Sequence, residues 1–105
     1  MTNQELKKLD RAEVAYLYLI SKMRLYSEAL EKITMCRMPN KRNILVSNIC
    51  CHVKDRNERT STLFFRLPDE QYLWFLCAVT EDFPETPFED LTEPKYRLER
   101  RCNSR

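Results

Sequence analysis

Glycine is missing from this chain: none occurs in 105 residues, where average usage of about 7% would supply roughly seven. The absence excludes the phosphate-cradling P-loop, the GxGxxG dinucleotide turn, the GxSxG nucleophile elbow and the EF-hand loop. Each needs backbone that comes close to a ligand or takes positive φ at little cost. Long apolar runs are missing too. The longest, Tyr72 to Val79, has eight residues, too few to cross a bilayer. The N-terminus (Met1-Thr2-Asn3-Gln4-Glu5) is polar and carries no apolar segment of a signal peptide. Histidine occurs once, as His52, so any Ser-His or Cys-His chemistry rests on that residue.

What is present fits one domain with one core. The chain has 43% hydrophobic and 10% aromatic residues, too many for a disordered segment. Five cysteines (Cys36, Cys50, Cys51, Cys77 and Cys102) cannot close entirely into intramolecular disulfides. The expected compartment is therefore reducing and cytoplasmic.

Leu9, Ala12, Tyr16, Leu19, Met23, Tyr26, Leu30 and Ile33 alternate in spacings of three and four. That spacing predicts one long helix with an apolar stripe. It starts near residue 3 (Thr2 with Glu5 as a capping box) or near residue 11 (Asp10 with Glu13). It ends at Met38-Pro39, because a residue before proline avoids the α region. The stripe has two readings: it lies on its own core, or Tyr16, Leu19, Met23, Tyr26 and Leu30 pair with a second copy.

Residues 44–54 and 60–67 alternate as two strands of an antiparallel hairpin. In the loop between them, Asn57 is the expected left-handed residue in place of glycine. Pro68-Asp69-Glu70 opens a second helix, apolar nearly all round and therefore buried, which Phe83-Pro84 ends. The expected fold is α+β in the order α-β-β-α. It has a single domain over residues 1–83 and a proline-containing, acidic then basic C-terminal tail over 84–105.

Charge is segregated. Residues 32–66 carry +6, residues 69–93 carry −8 and residues 94–105 carry +4. Bases in such blocks either neutralise the chain's own acids or contact phosphates. The candidates for partner or nucleic-acid contact are Arg37, Lys41, Arg42, Arg56, Arg59, Arg97, Arg100 and Arg101.

Cys50-Cys51-His52 is the one Cys/His cluster, and successive strand residues face opposite ways. Its spacing matches no zinc motif. Catalytic, cofactor and metal sites are accordingly all expected to be absent, with no small-molecule substrate and no membrane. The expected function is a non-enzymatic protein-interaction module, a homodimeric regulator or inhibitor of the kind phages and mobile elements encode. It would bind a larger protein or nucleoprotein through charged surfaces. The alternative is a nucleic-acid-binding protein using the basic hairpin and the arginine-rich tail.

Overall fold

The apolar spacing of the N-terminal segment does form a helix, α1 (Asn3–Leu25), which buries Ala12, Ala15, Leu19 and Met23. The computed structural model describes residues 3–98, with the backbone alone over 3–10. After α1 come β1 (Ala29–Pro39), β2 (Leu45–Lys54), β3 (Thr60–Leu67), α2 (Asp69–Asp82), β4 (Phe88–Asp90) and a 3-10 turn at Pro94–Tyr96. The strands form one sheet in the order β3-β2-β1-β4. β1, β2 and β3 are antiparallel neighbours, and β4 runs parallel to β1. Among the described residues, no helix is long and apolar enough to cross a membrane.

The fold is α+β, but the order α-β-β-α is corrected by two strands. The larger difference is β1. The three-four spacing runs on through Tyr26, Leu30 and Ile33, yet the helix stops at Leu25. Ser27 takes φ 52°, and the Glu28 amide bonds back to the Met23 carbonyl. That is a left-handed helix stop made without glycine. Beyond it the period is two: Ile33, Met35 and Arg37 are buried, while Thr34 and Cys36 lie on the other face. An arginine at an inward position hid this alternation.

The second difference is the tail. Ile33 donates to the Pro87 carbonyl, Leu91 to the Met35 carbonyl, and Arg37 to Thr92 Oγ1 (2.9, 2.7 and 2.8 Å). Residues 87–92 thus line the outer edge of β1. Thr92 is buried, and Leu98 packs on the core. No boundary falls at residue 83. Thr2 and the end of the tail, with Arg100 and Arg101, lie outside the described residues.

The core lies between the helices and one face of the sheet, where Leu19, Ile49, Cys51, Val53, Tyr72, Phe75 and Val79 are almost fully buried. α2 follows its expected bounds closely, and Asp69 and Glu70 sit in its first turn, where the helix dipole favours acids. Gln71 is buried because its Oε1 accepts the Ala12 amide of α1 at 3.0 Å.

Two loops close the hairpins, and they have the same construction. Asn40 Oδ1 accepts the amides of Arg42 and Ile44, and Asp55 Oδ1 accepts those of Asn57 and Arg59. Asn43 (φ 62°) and Glu58 (φ 65°) are the left-handed residues. The expected position, Asn57, is one residue early. Asp55 captures the Asn57 amide, which places the left-handed step at the fourth loop position.

Candidate functional site

The two edges of the sheet differ. β4 is three residues long, with Pro84, Pro87 and Pro94 around it. Short strands and prolines are devices that protect an edge from pairing. β3 has eight residues, no proline and no lysine, and only β2 as a neighbour. Its even-numbered residues turn their backbone groups outward. The Arg66 carbonyl accepts from Arg11 Nη2 at 3.2 Å, and along a strand that orientation recurs every second residue. Thr60, Thr62 and Phe64 therefore present unpaired donors and acceptors on the same side.

α1 runs along this edge, antiparallel to β3. Arg11 reaches the Arg66 carbonyl at one end, and Lys22 Nζ reaches Ser61 Oγ (3.2 Å) at the other. Lys22 is also paired with Glu28 at 2.8 Å. Eleven helical residues and five strand residues each span about 16 Å, so the two elements keep step. Midway, Tyr18 stands edge-on to Phe65, with centroids 6.4 Å apart. Between helix and strand lies a groove of about 430 Å³, lined by Arg11, Val14, Tyr18, Phe64 and Arg66 among others. Val14, Leu17, Tyr18 and Phe64 are each 55–57% exposed. An apolar stripe beside an unpaired strand is the physical form of a strand-docking site.

A second groove of similar size opens on the sheet face away from the helices, lined by Met38, Pro39, Asn40, Lys41, Val46, Asn48 and Arg66. Arg66 borders both grooves. Its Nε donates to Asn48 Oδ1 at 3.0 Å, and its guanidinium lies 5.7 Å from the Phe64 ring centroid. Neither groove is lined by an acid.

The expected dimer residues are dispersed. Leu19 and Met23 belong to the chain's own core. Tyr16 is half-buried, with Trp74 edge-on at 6.2 Å, and Leu30 is half-buried in β1. Tyr26 alone of the five is exposed, in the turn after α1. A face with one exposed member cannot form the expected seam.

The expected basic patch is divided as well. Arg37 is buried and holds Asp69 through two hydrogen bonds, Nε–Oδ1 at 2.9 Å and Nη2–Oδ2 at 2.7 Å, while Nη1 donates to the Tyr96 carbonyl. The bond to Asp69 raises the Arg37 pKa still further. Arg37 is a clamp between β1, α2 and the turn at Tyr96. Lys41 and Arg42 are exposed in the β1–β2 loop, and Arg56 and Arg59 are exposed in the β2–β3 loop. The ten residues of β2 separate those loops by roughly 30 Å. Arg97 is exposed, and its Nε donates to the Thr92 carbonyl at 3.3 Å.

Cys50 and Cys51 do face opposite ways. Cys51 is in the core, and burial, with a smaller contribution from Cys50, pushes its thiol up to about 12. His52 lies on the open face between Thr34 Oγ1 (3.3 Å) and Thr62 Oγ1 (3.2 Å). Among the described residues, no three His, Cys, Asp or Glu side chains converge as a metal-ligand group.

Sequence reading missed Val14, Leu17, Tyr18 and Phe64. A signal existed in Phe64-Phe65: adjacent strand residues face opposite sides, so one of two aromatics must point away from the core. Comparison of the chain with family models, curated proteins and solved structures gave no match.

Proposed function

We propose that this chain is a non-enzymatic protein-interaction module, of the regulator or inhibitor type, whose association runs through the β3 edge and the α1 groove. The observation that carries this reading is the eight-residue β3 edge, without proline or lysine, beside exposed Val14, Leu17, Tyr18 and Phe64. Main-chain pairing supplies affinity in such an arrangement, and the neighbouring apolar side chains supply selectivity. The charged loops at the two ends of β2 remain available to a larger partner.

The test compares the tagged chain with its Phe64→Lys variant as bait in an extract of the source organism. Protein retained by the first and lost with the second is the expected result. Retention indifferent to the substitution, or retention of nucleic acid alone, contradicts the reading.

One observation favours nucleic acid as a second reading. Arg11, Arg66 and Lys41 follow one another along the two grooves without an acid between them, and Phe64 and Tyr18 offer aromatic faces beside them. Basic grooves with stacking platforms take single strands. Three phosphate contacts would give a log affinity against log salt slope of about −2 on a single-stranded probe. No binding at 50 mM salt ends this reading.

A further inference from the structure

We infer that the strand occupying the β3 edge is β3 of a second copy, paired antiparallel across a two-fold axis at Phe64. This rests on the reading of the edge as the association surface and names its occupant. The outward backbone groups belong to Thr60, Thr62, Phe64 and Arg66. A dyad at Phe64 faces Phe64 with Phe64 and Thr62 with Arg66, so the outward donors of the central three residues meet outward acceptors once Arg11 Nη2 yields the Arg66 carbonyl it holds in the single chain. The contact is isologous, as a closed dimer requires.

Charge agrees with this register. Arg66 lies opposite Thr62, and the two Arg66 residues are four positions apart across the pair, about 13 Å along the strand. Like charges are therefore not opposed. A register with Arg66 on the dyad would oppose them directly, which is destabilising. The groove lining carries Arg11 and Arg66 and no acid, so both guanidinium groups must stay at the solvent-facing rim of the pair.

Area argues for a copy over a short peptide. A lone added strand would meet Phe64 and the inner side of Tyr18, leaving Leu17 uncovered. A second copy brings its own α1, whose Val14, Leu17 and Tyr18 cover the same residues of the first. Aromatic side chains bury about 150–250 Å² each. Two half-exposed rings, two aliphatics and an eight-residue strand edge per copy approach the roughly 800 Å² a side of a standard interface. The pairing produces one eight-stranded sheet with both short β4 edges outermost.

The test is sedimentation velocity of the full chain from 1 to 200 µM, recorded at 260 and 280 nm, with a disulfide assay of register. The wild type is expected to form dimers free of nucleic acid. Phe64→Lys and, separately, Thr62→Lys raise the dimer dissociation constant by about 100-fold or more, and Tyr26→Lys does not. Both edge side chains are exposed, and unchanged circular dichroism verifies folding. With Cys36, Cys50, Cys77 and Cys102 replaced by serine (Cys50 because it lies directly opposite residue 64 on β2 of the same chain), Phe64→Cys cross-links to itself, since directly opposed Cα atoms lie about 5.5 Å apart, within disulfide reach. Thr62→Cys alone does not cross-link, and mixed with Arg66→Cys it does. A wild type that stays monomeric throughout, a dimer indifferent to both lysines, a dimer without the Phe64→Cys cross-link, or 260 nm absorbance moving with the complex overturns the proposal. If the chain is monomeric but Phe64→Lys still abolishes retention of another protein, the dimer fails and the interaction reading stands. If neither is seen, both fail.

Discussion

Arg37 holds Asp69 with two hydrogen bonds of 2.9 and 2.7 Å, and so fastens the first turn of α2 to the middle of the sheet. The Arg37 side chain is only 10% exposed, against 36% for Asp69. Removing the cation empties the buried end of the pair and takes from half-buried Asp69 and the Tyr96 carbonyl the donors that Arg37 supplies. Removing the anion leaves a cation that retains the carbonyl. Arg37→Ala is therefore expected to cost about 2–4 kcal/mol and Asp69→Asn about 1–2 kcal/mol. Urea denaturation of both variants and the double variant gives the coupling. Equal, sub-kilocalorie effects would show that Arg37 is a surface group after all.

The three left-handed residues give a second prediction. Ser27 and Glu58 carry the steric cost of positive φ that glycine would relieve, whereas asparagine at 43 tolerates it. Ser27→Gly and Glu58→Gly should each raise stability by about 0.5–1 kcal/mol, net of the glycine's unfolded-state entropy. Asn43→Gly should stay within a few tenths of a kcal/mol. Glu58 also forms a 3.6 Å pair with Lys54, but at an exposed position where such pairs contribute little. Thermal melts of the three variants decide this.

Cys51 makes a third. Its thiol is raised to about 12 in the folded chain, above the ordinary cysteine value of about 8.5 that applies when unfolded. The folded state therefore holds its proton more tightly. This contribution is intact below the unfolded value and is lost as pH rises from about 9 towards 12. Chemical denaturation should show stability falling across that window, less steeply in Cys51→Ala. At pH 8 a thiol reagent should modify exposed Cys77 quickly and reach Cys51 only on unfolding.

Much of the fold could be read from the residues, and the misreadings have particular causes. α2, β2 and β3 each kept a legible apolar period, although Gln71 in α2 and Ser47 in β2 are small breaks in it. β1 did not, because Arg37 occupies an inward position and because Tyr26, Leu30 and Ile33 happened to continue the helical spacing. Ser27 gives no sign of a helix stop, since serine seldom takes that conformation. β4 is too short to have a period, and only its pairing with β1 defines it. The site was harder to read, because an open edge is a property of strand order, which no local pattern encodes.

The same correction separates two substitutions that the stripe would treat alike. Leu19 is fully buried, so Leu19→Ala should cost about 2–5 kcal/mol. Tyr26 is exposed, so Tyr26→Ala should stay within about 0.5 kcal/mol. Denaturation midpoints measure both.

Residue-resolved amide hydrogen exchange in β3, measured across a hundredfold range of protein concentration, tests the free edge most directly. The amides of Leu63, Phe65 and Leu67 face β2 and should be protected throughout. Those of Thr62, Phe64 and Arg66 should exchange freely when dilute and gain protection together as concentration rises. Outward amides that exchange freely at every concentration, or protection that grows at Tyr26 and Leu30 instead, would contradict association through this edge.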